Sequence, residues 1–256
     1  MYLDRQDVCR GFSQHEFTVF FQPLVKIKTG QLVGFESLSR WNHCEVGAVS
    51  PDTFIPLIQS SGLTALFTKI QLQLTLSATS LLPGTLRLSM NLSPQQLLDD
   101  SLPEQLAAAA AAARFSLDRL TIEITERALQ EDLSRVQSAC LSFKQMGCRL
   151  SLDDFGTGQS SLFHLQAVPF DELKVDRSFI LRMRQDSASR KIVAAVVGLG
   201  KNFALDTVAE GVETAEQAAL LCEMGCVYAQ GWLYGKPAPA GTIPQLAADP
   251  AAFSLA

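Results

Sequence analysis

The 256-residue chain lacks an apolar run approaching the roughly 18 residues needed to span a bilayer, and the run Ala107 to Ala113 is short enough to read as part of a helix. No direct membrane insertion is therefore expected. A basic excess is also missing. Lys plus Arg number 21 against 26 Asp plus Glu, a formal net charge of −5, which excludes a strongly basic nucleic-acid footprint and with it a DNA or RNA duplex as partner. The six cysteines, at 9, 44, 140, 148, 222 and 226, include no CxxC pair. A chain long enough to bury a large core has little need of a disulfide framework, so inert buried thiols in a reducing compartment are expected. Cys222 and Cys226 are four apart, but Gly225 breaks the helix between them. The N-terminus, with Asp4, Arg5, Gln6 and Asp7, has no signal-peptide core, which predicts a cytoplasmic protein. Internal repeats and Pro/Ser-rich linkers are missing too. One domain over residues 1–256 is expected, with a core from about 12 to 240 and a loose Ala/Pro/Gly-rich tail.

What is present is a regular series of β-prone runs: Phe17–Gln22, Leu32–Glu36, Leu86–Asn91, Leu120–Thr125, Arg149–Asp153, Glu172–Asp176, Leu205–Glu210 and Val227–Gln230. Stretches with helical spacing and caps separate most of them. Thr125 to Phe143 reads as one helix, Arg190 to Gly200 as another, and Thr214 with Gln217 as a capping box. Eight strands alternating with helices predict an α/β fold, a modified TIM-like (β/α)8 barrel. The first two strands are joined by Lys28-Thr29-Gly30-Gln31, too short for a crossover helix, so the first strand is predicted to be antiparallel to the second.

The strands end on polar residues: Glu36, Asn91, Glu123, Asp153 with Asp154, Lys174, Glu210 and Gln230, with Glu126 and Glu213 shortly after. A period of two places Ser89 with Asn91, Thr121 with Glu123 and Ser151 with Asp153 on one face, and Val33, Phe35, Leu88, Met90, Ile122, Ile124, Leu150 and Leu152 on the other. The polar set is predicted to line the barrel and the apolar set to pack under the helices. In such a barrel the C-terminal mouth is where catalytic residues gather.

Glu36, Glu123, Asp153, Asp154 and Glu210 would then put five carboxylates in one mouth against the single cation of Lys174. Crowded like charges raise one another's pKa or demand counter-cations. Carboxylates plus the Asn91 amide oxygen suit hard divalent cations such as Mg²⁺ or Mn²⁺. The histidines, at 15, 43 and 164, lie away from the predicted strand ends, which argues against zinc. Adjacent acids such as Asp153 and Asp154 can bridge a metal pair that activates water and neutralises a phosphodiester under in-line attack. The Gly-rich stretch Phe155 to Ser161 reads as a mobile loop, which Glu126 can anchor through the loop backbone or Thr157.

At this point seven segments resemble the EAL domain, the bacterial cyclic-di-GMP phosphodiesterase: Glu36-Ser-Leu-Ser-Arg40, Asn91-Leu-Ser-Pro94, Glu123-Ile-Thr-Glu126, Asp153-Asp-Phe-Gly-Thr-Gly158, Lys174-Val-Asp-Arg-Ser-Phe-Ile180, Ala209-Glu-Gly-Val-Glu213 and Gln230-Gly231. The resemblance implies hydrolysis of 3′,5′-cyclic diguanylate to linear pGpG with two Mg²⁺ or Mn²⁺ ions, Ca²⁺ supporting binding but inhibiting turnover. It implies that Glu36, Asn91, Glu123 and Asp153 hold one metal, and that Asp153 bridges to a second completed by Asp154 and Glu210. Lys174 looks like the residue that orients and activates water, helped by Gln230, and Glu126 like the loop anchor. Gln22, Leu38, Arg40, Asp176 and Glu213 match nucleotide contacts. A homodimer through EAL–EAL contacts and regulatory domains outside this chain are further implications. Three positions depart from the family: Ser37 for the usual Ala, predicted to point away from the metals; Gln159 for a common Tyr; and Gln59 for a frequent Glu, expected in a helix away from the mouth. The alternatives are a cyclic-di-GMP receptor without turnover and a protein-interaction domain without nucleotide.

Overall fold

The computed structural model describes residues 3–156, 162–248 and 253. Among them, ten strands form one sheet: β1 (Phe17–Lys26), β2 (Leu32–His43), β3 (Gly47–Val49), β4 (Arg87–Leu92), β5 (Leu120–Thr125), β6 (Arg149–Phe155), β7 (Glu172–Val175), β8 (Asp206–Ala209), β9 (Tyr228–Ala229) and β10 (Ala238–Pro239). The order β1-β9-β8-β7-β6-β5-β4-β2, with β1 also paired to β2, closes an eight-stranded barrel. β1 is antiparallel to both β2 and β9, and the other barrel pairs are parallel. All eight predicted strands and the antiparallel start are present.

Two layers of packing follow from the alternation. Phe35, Leu88, Met90, Ile122, Ile124, Leu150 and Leu152 are buried beneath the helices in the main core. Each such side chain contributes about 1.5–3 kcal/mol by leaving water. Their alternates include the hydroxyls of Ser89, Thr121 and Ser151, all buried, while Leu24, Val208 and Tyr228 form a small apolar cluster of their own.

The structure corrects several expectations. β1 and β2 run past the barrel as a ribbon, Phe17 opposite Trp41 through Phe21 opposite Ser37, with β3 added beside Trp41–His43 and β10 beside Phe20 and Phe21, whereas β2 leaves β4 at the Ser37–Met90 pair. The ribbon survives because aromatic rings cover it: Phe17, Trp41, Phe54 and Phe67 pack with Val8 and Phe12 of the N-terminal helix Arg5–Ser13. This extension puts His43 at a strand end after all, but its Nε2 faces Asp7 and Arg10 of that helix. The stretch Thr125 to Phe143 is two helices, Glu126–Glu131 and Leu133–Gln145, because Asp132 leaves helical geometry and caps the second through Arg135 N–H. Cys140, Cys148 and Cys226 are buried as expected, and burial pushes their thiols up to about 12, about 12 and about 11. Cys9 and Cys44 are exposed instead, on the N-terminal helix and in the turn after β2. Past residue 240, a turn at Ala240–Thr242 leads into the helix Ile243–Ala248, with Ile243 and Phe253 buried.

Candidate active site

Lys174, 1% exposed, projects from β7 into the barrel mouth. Its Nζ lies 2.6 Å from Glu210 Oε1, 2.8 Å from Glu123 Oε2, 3.4 Å from Asp153 Oδ1 and 3.8 Å from Glu36 Oε2. The strand ends thus deliver their acids to one point, as the alternation predicted. Asn91 Nδ2 donates to Glu36 Oε1 at 2.6 Å, and Gln230 Nε2 donates to the other Glu36 oxygen and, at 3.0 Å, to Gln22 Oε1. Gln22 comes from the middle of β1, opposite Glu36, because an antiparallel strand passes the mouth rather than ending there.

Asp154 is brought in by a break in the rules. Strict alternation would turn consecutive Asp153 and Asp154 to opposite faces. The β6–β7 register shifts between Leu152 and Phe155, and Asp154 takes a left-handed backbone with φ 58°. Such a backbone is costly for most side chains and best tolerated by Asn, Asp and Gly. The result is that one carboxylate oxygen from each of Asp153, Asp154 and Glu210 lies within 4.8 Å of the others.

The electrostatics reflect this crowding. Burial pulls the Lys174 ammonium down, but its acidic neighbours outweigh it and hold it well above its ordinary value. Burial raises Glu36, yet Lys174 and the Gln230 and Asn91 amides bring it below its usual range. Glu123 stays well above, through burial and the Glu36 charge, and Asp153 is raised chiefly by burial. Burial and the Asp153 charge lift Asp154 to about 6 and Glu210 to about 8. Hard oxygen donors in excess of one ammonium fit a divalent cation pair.

A pocket of about 650 Å³ opens beside this cluster, sharing Asn91 and walled by Leu38, Arg40, Pro94 and the helix Pro51–Ser60. Arg40 is partly buried, over the Phe20 ring and bonded to the Ser39 carbonyl. Gln59 lines the pocket too, which corrects its placement away from the mouth. Across the mouth, Asp176 caps the helix Arg177–Arg182 through Ser178 N–H, and Glu213 is paired with Arg177 at 2.7 Å. These two stand on the rim, and Asp176 is near enough to Asp154 for its charge to help raise that carboxyl. Glu126 is buried at the start of its helix, where Gln130 Nε2 is 3.5 Å away. The loop it was expected to anchor, and the departure at Gln159, fall on residues 157–161, outside the described ones. Ser37 points away from the acids and hydrogen-bonds Thr75 Oγ1 at 2.8 Å.

Sequence reasoning missed the support behind Asn91. Gln71 Nε2 donates to the Asn91 carbonyl (3.1 Å), and Gln96 Nε2 donates to Gln71 Oε1 (3.0 Å) and Thr68 Oγ1 (2.9 Å), all buried. The signal was available as Thr68, Gln71 and Gln96, polar residues at positions that pack inward in their helices.

The chain matches the EAL domain family over residues 5–237. It belongs to the EAL family. Relatives of this EAL chain include the cyclic di-GMP phosphodiesterase RocR of Pseudomonas aeruginosa, 34% identical over 91% of this chain and 60% of RocR. The cyclic di-GMP phosphodiesterase PdeL of Escherichia coli is 35% identical over 90% of this chain and 64% of PdeL. An uncharacterised signalling protein of Caulobacter vibrioides is 38% identical over 97% of this chain but 31% of that protein, so the EAL chain spans less than two thirds of these relatives. Among solved structures, the PaMucR phosphodiesterase in complex with c-di-GMP superposes with a TM-score of 0.88 at 33% identity, covering 93% of this chain and 98% of that one. Among the described residues, no helix is long and apolar enough to cross a membrane.

Proposed function

We propose that this chain is a single cyclic-di-GMP phosphodiesterase domain that hydrolyses its substrate to linear pGpG. The observation that carries the reading is the buried Lys174 encircled by Glu36, Glu123, Asp153 and Glu210, with Asp154 turned in beside them. Glu36, Asn91, Glu123 and Asp153 would hold one Mg²⁺ or Mn²⁺; Asp153, Asp154 and Glu210 would hold a second. Bound there, the cations supply water activation at neutral pH and neutralisation of the phosphodiester charge. Lys174 keeps the acids together before they arrive and then orients the attacking water, with Gln230 fixing Glu36 and Gln22. Arg40, on the pocket wall, suits a phosphate through its guanidinium fork, and Leu38 suits a base. Gln22, Asp176 and Glu213 complete the nucleotide contacts, and Glu126 steadies the loop that follows Phe155.

A homodimer is part of the same reading, supported by Leu162 and Phe163, 55% and 63% exposed on one short helix. The greater length of the relatives supports regulatory domains outside this chain, and a cytoplasmic signalling role completes the proposal.

The test is to incubate the protein with cyclic-di-GMP and Mn²⁺ and to follow pGpG by chromatography. Product that disappears with EDTA and in Glu36→Ala supports the enzyme. Tight binding without product would sink it in favour of a receptor.

A further inference from the structure

One helix on the barrel wall meets the strands with a polar stripe. The helix Thr64–Ser77 buries Thr68, Gln71 and Thr75 beside Phe67, Leu72 and Leu76. The three polar residues stand three and four positions apart, so they share one face. A buried hydroxyl or amide costs free energy unless it is hydrogen-bonded, so partners must face such a stripe. Gln71 has the Asn91 carbonyl and Gln96. One turn on, Thr75 is fully buried, and its hydroxyl shares a hydrogen bond of 2.8 Å with that of Ser37, the residue after Glu36.

The position of Ser37 in the sheet gives this bond its weight. β2 pairs with β4 from Gly34 opposite Arg87 to Ser37 opposite Met90, and then departs with β1. The first of these pairs is locked by close approach, since a Cβ added to Gly34 would run into the Arg87 carbonyl. The last is Ser37 itself, and Glu36 stands one residue inside it. The Ser37–Thr75 bond therefore fastens β2 to the helix where β2 parts from β4. Gln71 fastens β4 to the same helix at Asn91. Between the two fastenings the functional side chains meet, Asn91 Nδ2 donating to Glu36 Oε1 at 2.6 Å. Both fastenings are on β2 and β4, whereas Asp153, Asp154 and Glu210 come with β6 and β8.

We propose that Thr75 and Ser37 are positioning residues for the first cation, holding Glu36 in register with Asn91, and that the second cation does not depend on them. This rests on the two-cation reading above. Ligands of a metal must be held to within about 0.5 Å by residues that are themselves locked. Thr75 acts through the β2 backbone, which carries Ser37 toward the helix and Glu36 into the mouth. The selectivity follows from topology. Glu36 and Asn91 serve the first cation, Asp154 and Glu210 the second, and Asp153 both. A slackened β2 edge is therefore felt in one binding step of two. One buried hydrogen bond sets the scale, about 2- to 12-fold in an equilibrium constant. Replacing both hydroxyls by apolar groups spares the cost of an orphaned partner, so stability returns, but the fastening does not.

Calorimetric titration with Mn²⁺ of Ser37→Ala, Thr75→Val, the double variant and Thr75→Ser tests this, with Asn91→Ala marking which of the two steps belongs to the first cation. Ser37→Ala and Thr75→Val should each weaken that step about 2- to 12-fold and leave the other within about twofold. Thr75→Ser should restore it. In the double variant, denaturant titration without metal should return close to the wild-type result while the weakened step stays weak. Electron paramagnetic resonance gives a second readout. At two equivalents of Mn²⁺, part of the coupled-pair signal should give way to that of single ions in Ser37→Ala and Thr75→Val. Both steps weakened alike, neither weakened, or a double variant that regains wild-type Mn²⁺ affinity along with its stability would each overturn the positioning role. Should Thr75→Val fold poorly by circular dichroism, Ser37→Ala and Thr75→Ser decide. A wild-type protein that takes up no Mn²⁺ pair overturns the two-cation reading and the proposal with it.

Discussion

The two ends of the barrel are built from the same kinds of residue in different proportions. At the N-terminal ends of β4, β6, β7 and β8 stand Arg87, Arg149, Glu172 and Asp206, two cations and two acids. Arg149 donates to Asp206 at 2.8 Å, and the Glu172 carboxyl, raised by burial, is pulled back by Arg149. At the C-terminal ends, Glu36, Glu123, Asp153, Asp154 and Glu210 face one Lys174. Charges that balance can be closed by the protein itself and serve stability. Charges that do not balance keep carboxyls protonated above their usual range, and such a set is completed only by cations from outside. The formal net charge of −5 sharpens the contrast: the five mouth acids carry −5 between them, and the rest of the chain sums to −5 + 5 = 0.

Removing the one cation of the unbalanced end should have the largest effect. Lys174→Ala should lower turnover by about two orders of magnitude or more, as for a positioned proton-transfer group, while calorimetry shows Mn²⁺ still bound. It should also destabilise the metal-free protein by about 3–5 kcal/mol, the cost of stripping a buried charge cluster of its partner, and Mn²⁺ should restore much of that. Loss of Mn²⁺ binding would contradict the role given to Lys174.

Next comes pH. Asp154 and Glu210, at about 6 and about 8, must lose protons to take a cation, so protons and metal compete. Mn²⁺ affinity should rise with pH between about 6 and 8 as Glu210 gives up its proton, and the raised carboxyls of Glu123 and Asp153 add to that dependence. The sign for folding is opposite. A carboxyl whose folded pKa exceeds its unfolded value binds more protons when folded, so Glu210 stabilises the metal-free protein less as pH rises through that window. Thermal melts with EDTA and with Mn²⁺ should therefore diverge as pH increases. Parallel curves would mean that the acids are already balanced.

A smaller effect is expected at Gln71→Leu, which leaves the Asn91 carbonyl and Gln96 without their buried partner. Mn²⁺ affinity should fall by about tenfold, as for other outer supports of metal ligands, and Gln71→Glu, whose carboxylate cannot donate to the Asn91 carbonyl, should not restore it. The smallest belongs to the balanced end. Asp206→Asn removes a partly exposed ion pair and should cost about 1 kcal/mol or less by denaturant titration, with turnover unchanged. A large loss of turnover there would erase the distinction between the two ends.

The strands and the acids at their ends were legible in the sequence because both depend on a local period of two. Glu36, Glu123, Asp153 and Lys174 each announce themselves by their neighbours two residues away. What was not legible depends on residues distant along the chain. The ribbon of β1 and β2 past the barrel needs Phe54, Phe67 and the N-terminal helix to cover it. The helix break at Asp132 is decided by a cap that competes with helical continuity. Gln59 enters the pocket wall because the helix Pro51–Ser60 folds back over the ends of β2 and β4.

The left-handed backbone at Asp154 has a consequence for which substitutions the protein can absorb. Glycine and asparagine suit a φ of 58°, but both discard the charge; glutamate keeps the charge, but neither fits that backbone as readily nor places its carboxylate at the same reach. Backbone and chemistry therefore narrow the choice from two independent sides, and the overlap is aspartate. At Asp153, by contrast, the backbone is ordinary strand and only the chemistry selects. Of two neighbouring acids with similar duties, the second is the one with no neutral path away from its present identity.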